Sequence, residues 1–196
     1  MKDMNYILYN SNTLPNHLND CISNIKKVDP NSNVYLISDI ETNYKGVISI
    51  VNSDIISDQT QDIVSHNIYK NTNYEKNPLW ESSLIRIFAI RDLASRYSIQ
   101  DIIHFDNDVL IYAKADEVAK LFAKDKVNIT RSNEKSLVFG YSYFHDFKIL
   151  DKLCNRLYEL IMINICDKNW KSKPLNEMRL LQMIYGEMPE FFNILN

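Results

Sequence analysis

Ile102, Ile103 and Phe105 read as a short buried strand that runs straight into Asp106-Asn107-Asp108, and Val109-Leu110-Ile111-Tyr112 follows at once. Two carboxylates at the mouth of an apolar strand are each partly desolvated, and each repels the other. A core strand that ends this way is expected to open onto a cleft where something offsets the charge. A divalent cation removes both penalties. Side chains alternate along a strand, so residues i and i+2 project to the same side. Asp106 and Asp108 are then expected to share one cation, or one holds the metal while the other holds a neighbouring hydroxyl. Oxygen-only ligands favour hard cations, Mg²⁺ or Mn²⁺, with water and substrate phosphate completing the shell. The plainer alternative is an Asp-Asn-Asp turn, since both residue types are common turn formers. A calcium loop starting at Asp106 places Asp108 and Glu117 well, but it puts Ile111 where a glycine is required.

Composition narrows the field. The chain has 196 residues, 45% of them apolar, enough for one domain with a sizeable core. Its net charge of −3 gives no reason to expect a nucleic acid or an anionic membrane as partner. Cys21, Cys154 and Cys166 are odd in number and widely spaced, so a reducing, cytoplasmic compartment is the simpler expectation. The first residues read as leading directly into a strand, so no secretory leader is expected, and the apolar stretch at 160–166 is too short to span a bilayer. With only 3 glycines, glycine-rich phosphate loops are absent. Bound phosphates would have to be held by metal and basic side chains.

Strand and helix signals alternate along the chain. Tyr6-Ile7-Leu8-Tyr9 reads as a first strand, and Leu14, Leu18, Cys21, Ile22 and Ile25 then recur at helical spacing up to Asp29-Pro30. Val34-Tyr35-Leu36-Ile37 and Val47-Ile48-Ser49-Ile50-Val51 read as the next two strands. Residues 52–78 are a polar excursion with one short helical piece around Ile63-Val64, of the kind that forms lids or binding loops. A strong helix starts at Pro78, with Trp80, Leu84, Ile87, Phe88 and Ala94 on one side, and runs to about Tyr97. Further helices are expected over 117–124, 147–166 and 175–186, and strands over 127–130 and 137–144. The alternation predicts an α/β sandwich with a mostly parallel central sheet flanked by helices, in a single domain over 1–196. Ligands of such sheets sit beyond the carboxyl ends of strands. Three of those ends carry polar signals, at Tyr9-Asn10, Ser38-Asp39 and Asp106-Asn107-Asp108.

The run Pro78-Leu79-Trp80-Glu81-Ser82-Ser83-Leu84-Ile85-Arg86-Ile87-Phe88, followed by Ile103-His104-Phe105-Asp106-Asn107-Asp108-Val109-Leu110, resembles nucleotide-sugar glycosyltransferases of the Rossmann-like GT-A fold. Their signature is an Asp-x-Asp after a core strand, preceded by a helix bearing an arginine. Val34-Tyr35-Leu36-Ile37-Ser38-Asp39 is similar to their second strand and its acidic end. The resemblance covers roughly residues 4–145. It implies that residues 1–112 bind the nucleotide and that 113–196 form an acceptor side, truncated, minimal or decayed by comparison. It implies Mn²⁺ or Mg²⁺ on Asp108, with Asp106 at the ribose or sharing the metal. Arg86 would reach the diphosphate or the sugar, and Tyr9, Asn10, Asp39, Trp80 and Asn107 would belong to the nucleotide-sugar pocket. The donor implied is a UDP-sugar; the acceptor, a glycan or small molecule, is not specified. Glu177 sits where relatives place an acidic acceptor-side residue and is a candidate base or acceptor contact; the alternative is a glutamate favoured by a helix N-terminus.

Departures from the pattern keep other readings open. In place of a glycine-rich acceptor loop the chain offers only Phe139-Gly140-Tyr141, and for a later metal-binding histidine only His145. His104 reads as a satisfied packing histidine, Trp80 as a core or lid-base residue, and Arg91 and Arg96 as solvated or paired with Glu81 and Asp92. Two alternatives stand beside the transferase. One is a nucleotide- or glycan-binding module without catalysis. The other is a phosphohydrolase of the haloacid-dehalogenase type, which normally carries its Asp-x-Asp at the chain start rather than in mid-chain.

Overall fold

The computed structural model describes residues 4–134, 136–167 and 174–195. Its centre is a seven-stranded sheet in the order β3-β2-β1-β4-β6-β5-β7. The strands are β1 (Asn5–Asn10), β2 (Asn33–Ser38), β3 (Ile48–Val51), β4 (Gln100–Phe105), β5 (Val127–Asn133), β6 (Ser136–Asp146) and β7 (Phe192–Leu195). Four neighbouring pairs are parallel; the two that involve β6 are antiparallel. The expected mostly parallel α/β sandwich is therefore the fold observed.

Strand alternation divides the core in two. Ile7, Tyr9, Ile37 and Ile102 face one layer, which contains α4 (Leu79–Tyr97), α6 (Phe147–Cys166) and α7 (Glu177–Glu187). Tyr6, Leu8, Leu36, Ile103 and Phe105 face the other, where α1 (His17–Val28) buries Leu18, Cys21, Ile22 and Ile25 at helical spacing. Within α4, Leu84, Ile85 and every residue from Ile87 through Ala94 are buried. Its apolar surface is correspondingly wider than a single stripe. Ser98 closes it in the left-handed region at φ 52°.

Three expectations change. Residues 52–78 hold two helices, α2 (Asn52–Ile55) and α3 (Asp58–Ser65), rather than one. The helix expected over 117–124 is instead α5 (Ala115–Val118) followed by a 3-10 turn, Ala119–Leu121. Beyond that turn the Asn128 side chain accepts from the Ala123 N–H at 2.7 Å and donates to the Ala123 carbonyl at 2.8 Å. The Ala123 N–H is then not available to a helix that reaches Lys124. No element was expected after α7; the segment there contains β7, which pairs in parallel with Val127 to Thr130 of β5.

β1 pairs with β2 on one side and β4 on the other. The chain therefore leaves β1 toward one edge and returns on the opposite side. Such a reversal leaves a crevice beyond the carboxyl ends of the two strands. β1 ends at Asn10, and β4 delivers Asp106 there.

Candidate functional site

A cleft of about 590 Å³ lies at that crevice. Its lining includes Tyr9, Asn10, Trp80, Arg86, Asp106, Asn107, Asp108 and Glu177, so eight of the nine residues singled out from the sequence converge on one place. Asp39 is the ninth. It is exposed and accepts from the Asn12 backbone N–H at 2.7 Å, which shapes the loop after β1 at the cleft rim.

Arg86 organises the floor. It projects from α4, with its side chain 13% exposed, and its Nη1 donates to Asp106 Oδ1. Its Nη2 lies 3.1 and 3.3 Å from the two oxygens of Glu177. Glu177 is the first residue of α7 and is buried; its Oε1 also accepts from the Phe139 N–H at 2.8 Å. Burial pushes the Glu177 carboxyl up, while Arg86 and the Phe139 N–H oppose the shift. With both oxygens engaged, Glu177 has the geometry of a clamp on the guanidinium. Ser82 and Ser83 precede Arg86 by four and three residues on α4 and also line the cleft. That helical spacing was the signal available for them in the sequence.

The two aspartates do not sit on a strand. β4 ends at Phe105, and the Val109 N–H bonds the Asp106 carbonyl at 3.1 Å, closing a turn over 106–108. The expected projection from strand alternation is thus corrected: the turn alternative describes the backbone. Asp106 engages Arg86 of α4, whereas Asp108 stands near α1, where its charge adds to burial in pushing the Cys21 thiol up to about 12. Between them, Asn107 donates to Asn10 Oδ1 at 3.0 Å, and its own Oδ1 lies 3.2 Å from His17 Nε2. His17 had no sequence signal. Its place follows only from the packing of α1 beside the turn.

Gly140 of β6 backs the Asp106 carboxylate. A Cβ there would stand 2.6 Å from Oδ2, so the close approach requires glycine. His104, two residues before Asp106, is fully buried against Phe139, with ring centroids 5.2 Å apart. Its Nδ1 lies 2.8 Å from the Ile7 carbonyl, which can only accept, so Nδ1 carries the proton. Burial and then the Arg86 charge push its pKa down to about 3, which keeps the ring neutral. Nε2 is therefore a lone-pair acceptor, and it has no partner among the described residues. The expected satisfied histidine is satisfied on one side only.

Trp80 stacks on Tyr74 at 4.5 Å, and Tyr74 meets Tyr69 edge-on. The indole thus forms the base of the 66–78 segment, one of the two places expected for it. Tyr9 is buried at the cleft wall, and its phenol is pushed up by burial first and by Asp39 next, so it stays protonated. Arg91 is buried rather than solvated, paired with Asp92 at 2.6 Å. His145 lies near the opposite end of the sheet, since its neighbour Asp146 pairs with Gln100 at the start of β4. There it contacts Asp101, and it is no ligand for the turn.

The donor set suits a hard cation held partly by substrate. Asp108 is exposed, lines the cleft and has no hydrogen-bond partner among the described residues. No group of three or more His, Cys, Asp or Glu able to hold a metal occurs among the described residues. Magnesium-like ions are commonly bound by one or two carboxylates, with phosphates and water supplying the rest. Among the described residues no helix is long and apolar enough to cross a membrane.

No family model matches the sequence, and no curated protein does. Solved structures do match in fold. The apo-form glycosyltransferase GlyE of Streptococcus pneumoniae TIGR4 aligns with a TM-score of 0.59 at 10% identity, over 100% of this chain and 45% of its own. The PaToxG glycosyltransferase aligns at 0.56 and 13% identity, over 95% of this chain and 69% of its own. A glycosyltransferase involved in glycosylation of the major capsid of PBCV-1 aligns at 0.52 and 10%, over 98% and 82%. The chain has the α/β fold of these glycosyltransferases. It spans less than half the length of GlyE.

Proposed function

We propose that this chain is a glycosyltransferase that moves a sugar from a nucleoside diphosphate sugar, best a UDP-sugar, to a glycan or small-molecule acceptor. The observation that carries the reading is the meeting of the Asp106-Asn107-Asp108 turn and the Arg86–Glu177 pair in one cleft, where strand order reverses. A nucleotide would lie beside Tyr9 and Asn10, over the end of β1. Asp108 would hold Mn²⁺ or Mg²⁺. When bound, that cation neutralises charge developing on the leaving diphosphate.

The remaining work falls to the chain's own groups. Arg86 presents a fixed cation toward the diphosphate or the sugar, and preorganised charge of this kind is most effective away from bulk water. Glu177 keeps the guanidinium oriented, so we give it a positioning role rather than that of a base. Asp106 shares Arg86 and is placed to contact ribose or sugar hydroxyls. The strand that leads into the aspartate turn lies in mid-chain and has antiparallel β6 beside it, which speaks against the phosphohydrolase alternative. Titrating UDP into the protein with and without Mn²⁺ tests the reading. Saturable binding that needs the cation is expected; equal binding in a chelator overturns the metal assignment, and no binding in either overturns the nucleotide site.

A further inference from the structure

We propose that His104 is a specificity-determining residue: a hydroxyl of the sugar carried by the nucleotide donates a hydrogen bond to its Nε2. This deepens the glycosyltransferase reading and rests on it. A buried acceptor left without a donor is costly, and such groups are rare in folded proteins. Here the orphan is not at a random place in the core. His104 lines the cleft, and the Ile7 carbonyl fixes its tautomer so that Nε2 offers a lone pair and no proton. What the nitrogen lacks is a donor.

The partner chemistry is narrow. A phosphate or carboxylate oxygen has no proton to give and is repelled by the lone pair. An ammonium group would sit beside the Arg86 cation. A neutral hydroxyl suits both. Arg86 Nε is a second buried nitrogen without a partner among the described residues, and it is a donor. The imidazole and the guanidinium both pack on the Phe139 ring, the latter at 5.9 Å. Arg86 Nε–H can therefore serve the same hydroxyl or its neighbour on the sugar ring. A site built to hydrogen-bond a hydroxyl rejects an analogue that lacks it, because its own buried groups are then left unpaired.

Two variants separate this role from a merely structural one. In His104→Asn the amide nitrogen takes the place of Nδ1 and keeps the bond to Ile7, but the acceptor at Nε2 is gone. In His104→Gln the amide oxygen takes the place of Nε2, but the bond to Ile7 is lost. Binding is measured by calorimetry in Mn²⁺ for UDP and for the tightest of UDP-glucose, UDP-galactose and UDP-N-acetylglucosamine. His104→Asn is expected to lose tenfold or more in affinity for the UDP-sugar with UDP unchanged, while His104→Gln loses less, although it melts lower. On the unaltered protein, one monodeoxy analogue of that donor should show the same loss. If His104→Asn keeps the parent's ratio of UDP-sugar to UDP affinity, or no monodeoxy analogue binds worse, or the sugar adds nothing over UDP, the slot is overturned while the transferase reading stands. If the parent binds neither UDP nor UDP-sugar, both fall together.

Discussion

Gly140 and Asp106 show how closely the site is fitted at the level of single residues. The strand leaves no room for a methyl group between them, but what a methyl would meet is the free end of a carboxylate. Gly140→Ala is therefore expected to change stability by less than about 1 kcal/mol, while moving Asp106 off Arg86. UDP-sugar affinity in Mn²⁺ should fall by about tenfold, or 1.4 kcal/mol; unchanged affinity would separate Asp106 from donor binding. His104 gives a pH signature in metal-free buffer. Its folded pKa, about 3, lies below its ordinary 6.5, so the unfolded chain binds more protons between those values. Stability should rise with pH through that window and be lost as pH falls from about 6.5, at up to about 1.4 kcal/mol per pH unit. Urea melts of the parent and of His104→Asn check this, the variant showing the flatter dependence.

Among the elements, α4 carries the most. One stretch of it presents Arg86 to the cleft, and another sets the buried Arg91–Asp92 pair under α3. Asp92 accepts from the Ser57 N–H at 2.9 Å, from Thr60 Oγ1 at 2.6 Å and from Arg91 Nε at 2.6 Å. Asp92→Ala leaves a buried guanidinium short of its nearest counter-charge, at a cost of roughly 3–5 kcal/mol. Hydrogen exchange should show the loss first in Asp58–Ser65; protection there equal to the parent's would contradict the account. α4 was legible in the sequence because its apolar residues recur with helical period and Pro78 marks its start. α5 was not, because its four residues carry no helical period and the chain beyond it is tied at Ala123 by the side chain of Asn128 from the next strand. β7 was missed for the same kind of reason: a parallel edge strand is defined by its partner β5, and four residues carry no periodicity of their own. That the two aspartates and Arg86 would meet at one cleft was legible; the turn geometry and the half-paired His104 depend on β1 and β6 and were not.

At the scale of the molecule, the strand order brings polar ends from β1 and β4 to one crevice, and α4 and α7 close it with a cation and its clamp. The cores on either face of the sheet support this placement but do not need Asp108, which is exposed and has no hydrogen-bond partner among the described residues. Its removal should leave the fold alone and affect only what the cleft binds. The most direct test is calorimetric titration of UDP in Mn²⁺ against the parent and Asp108→Ala, with melting temperatures for both. The account predicts melting within about 2 °C of the parent and affinity lower by about a hundredfold or more, near 2.7 kcal/mol. An Asp108→Ala protein that binds UDP and Mn²⁺ as the parent does would contradict it.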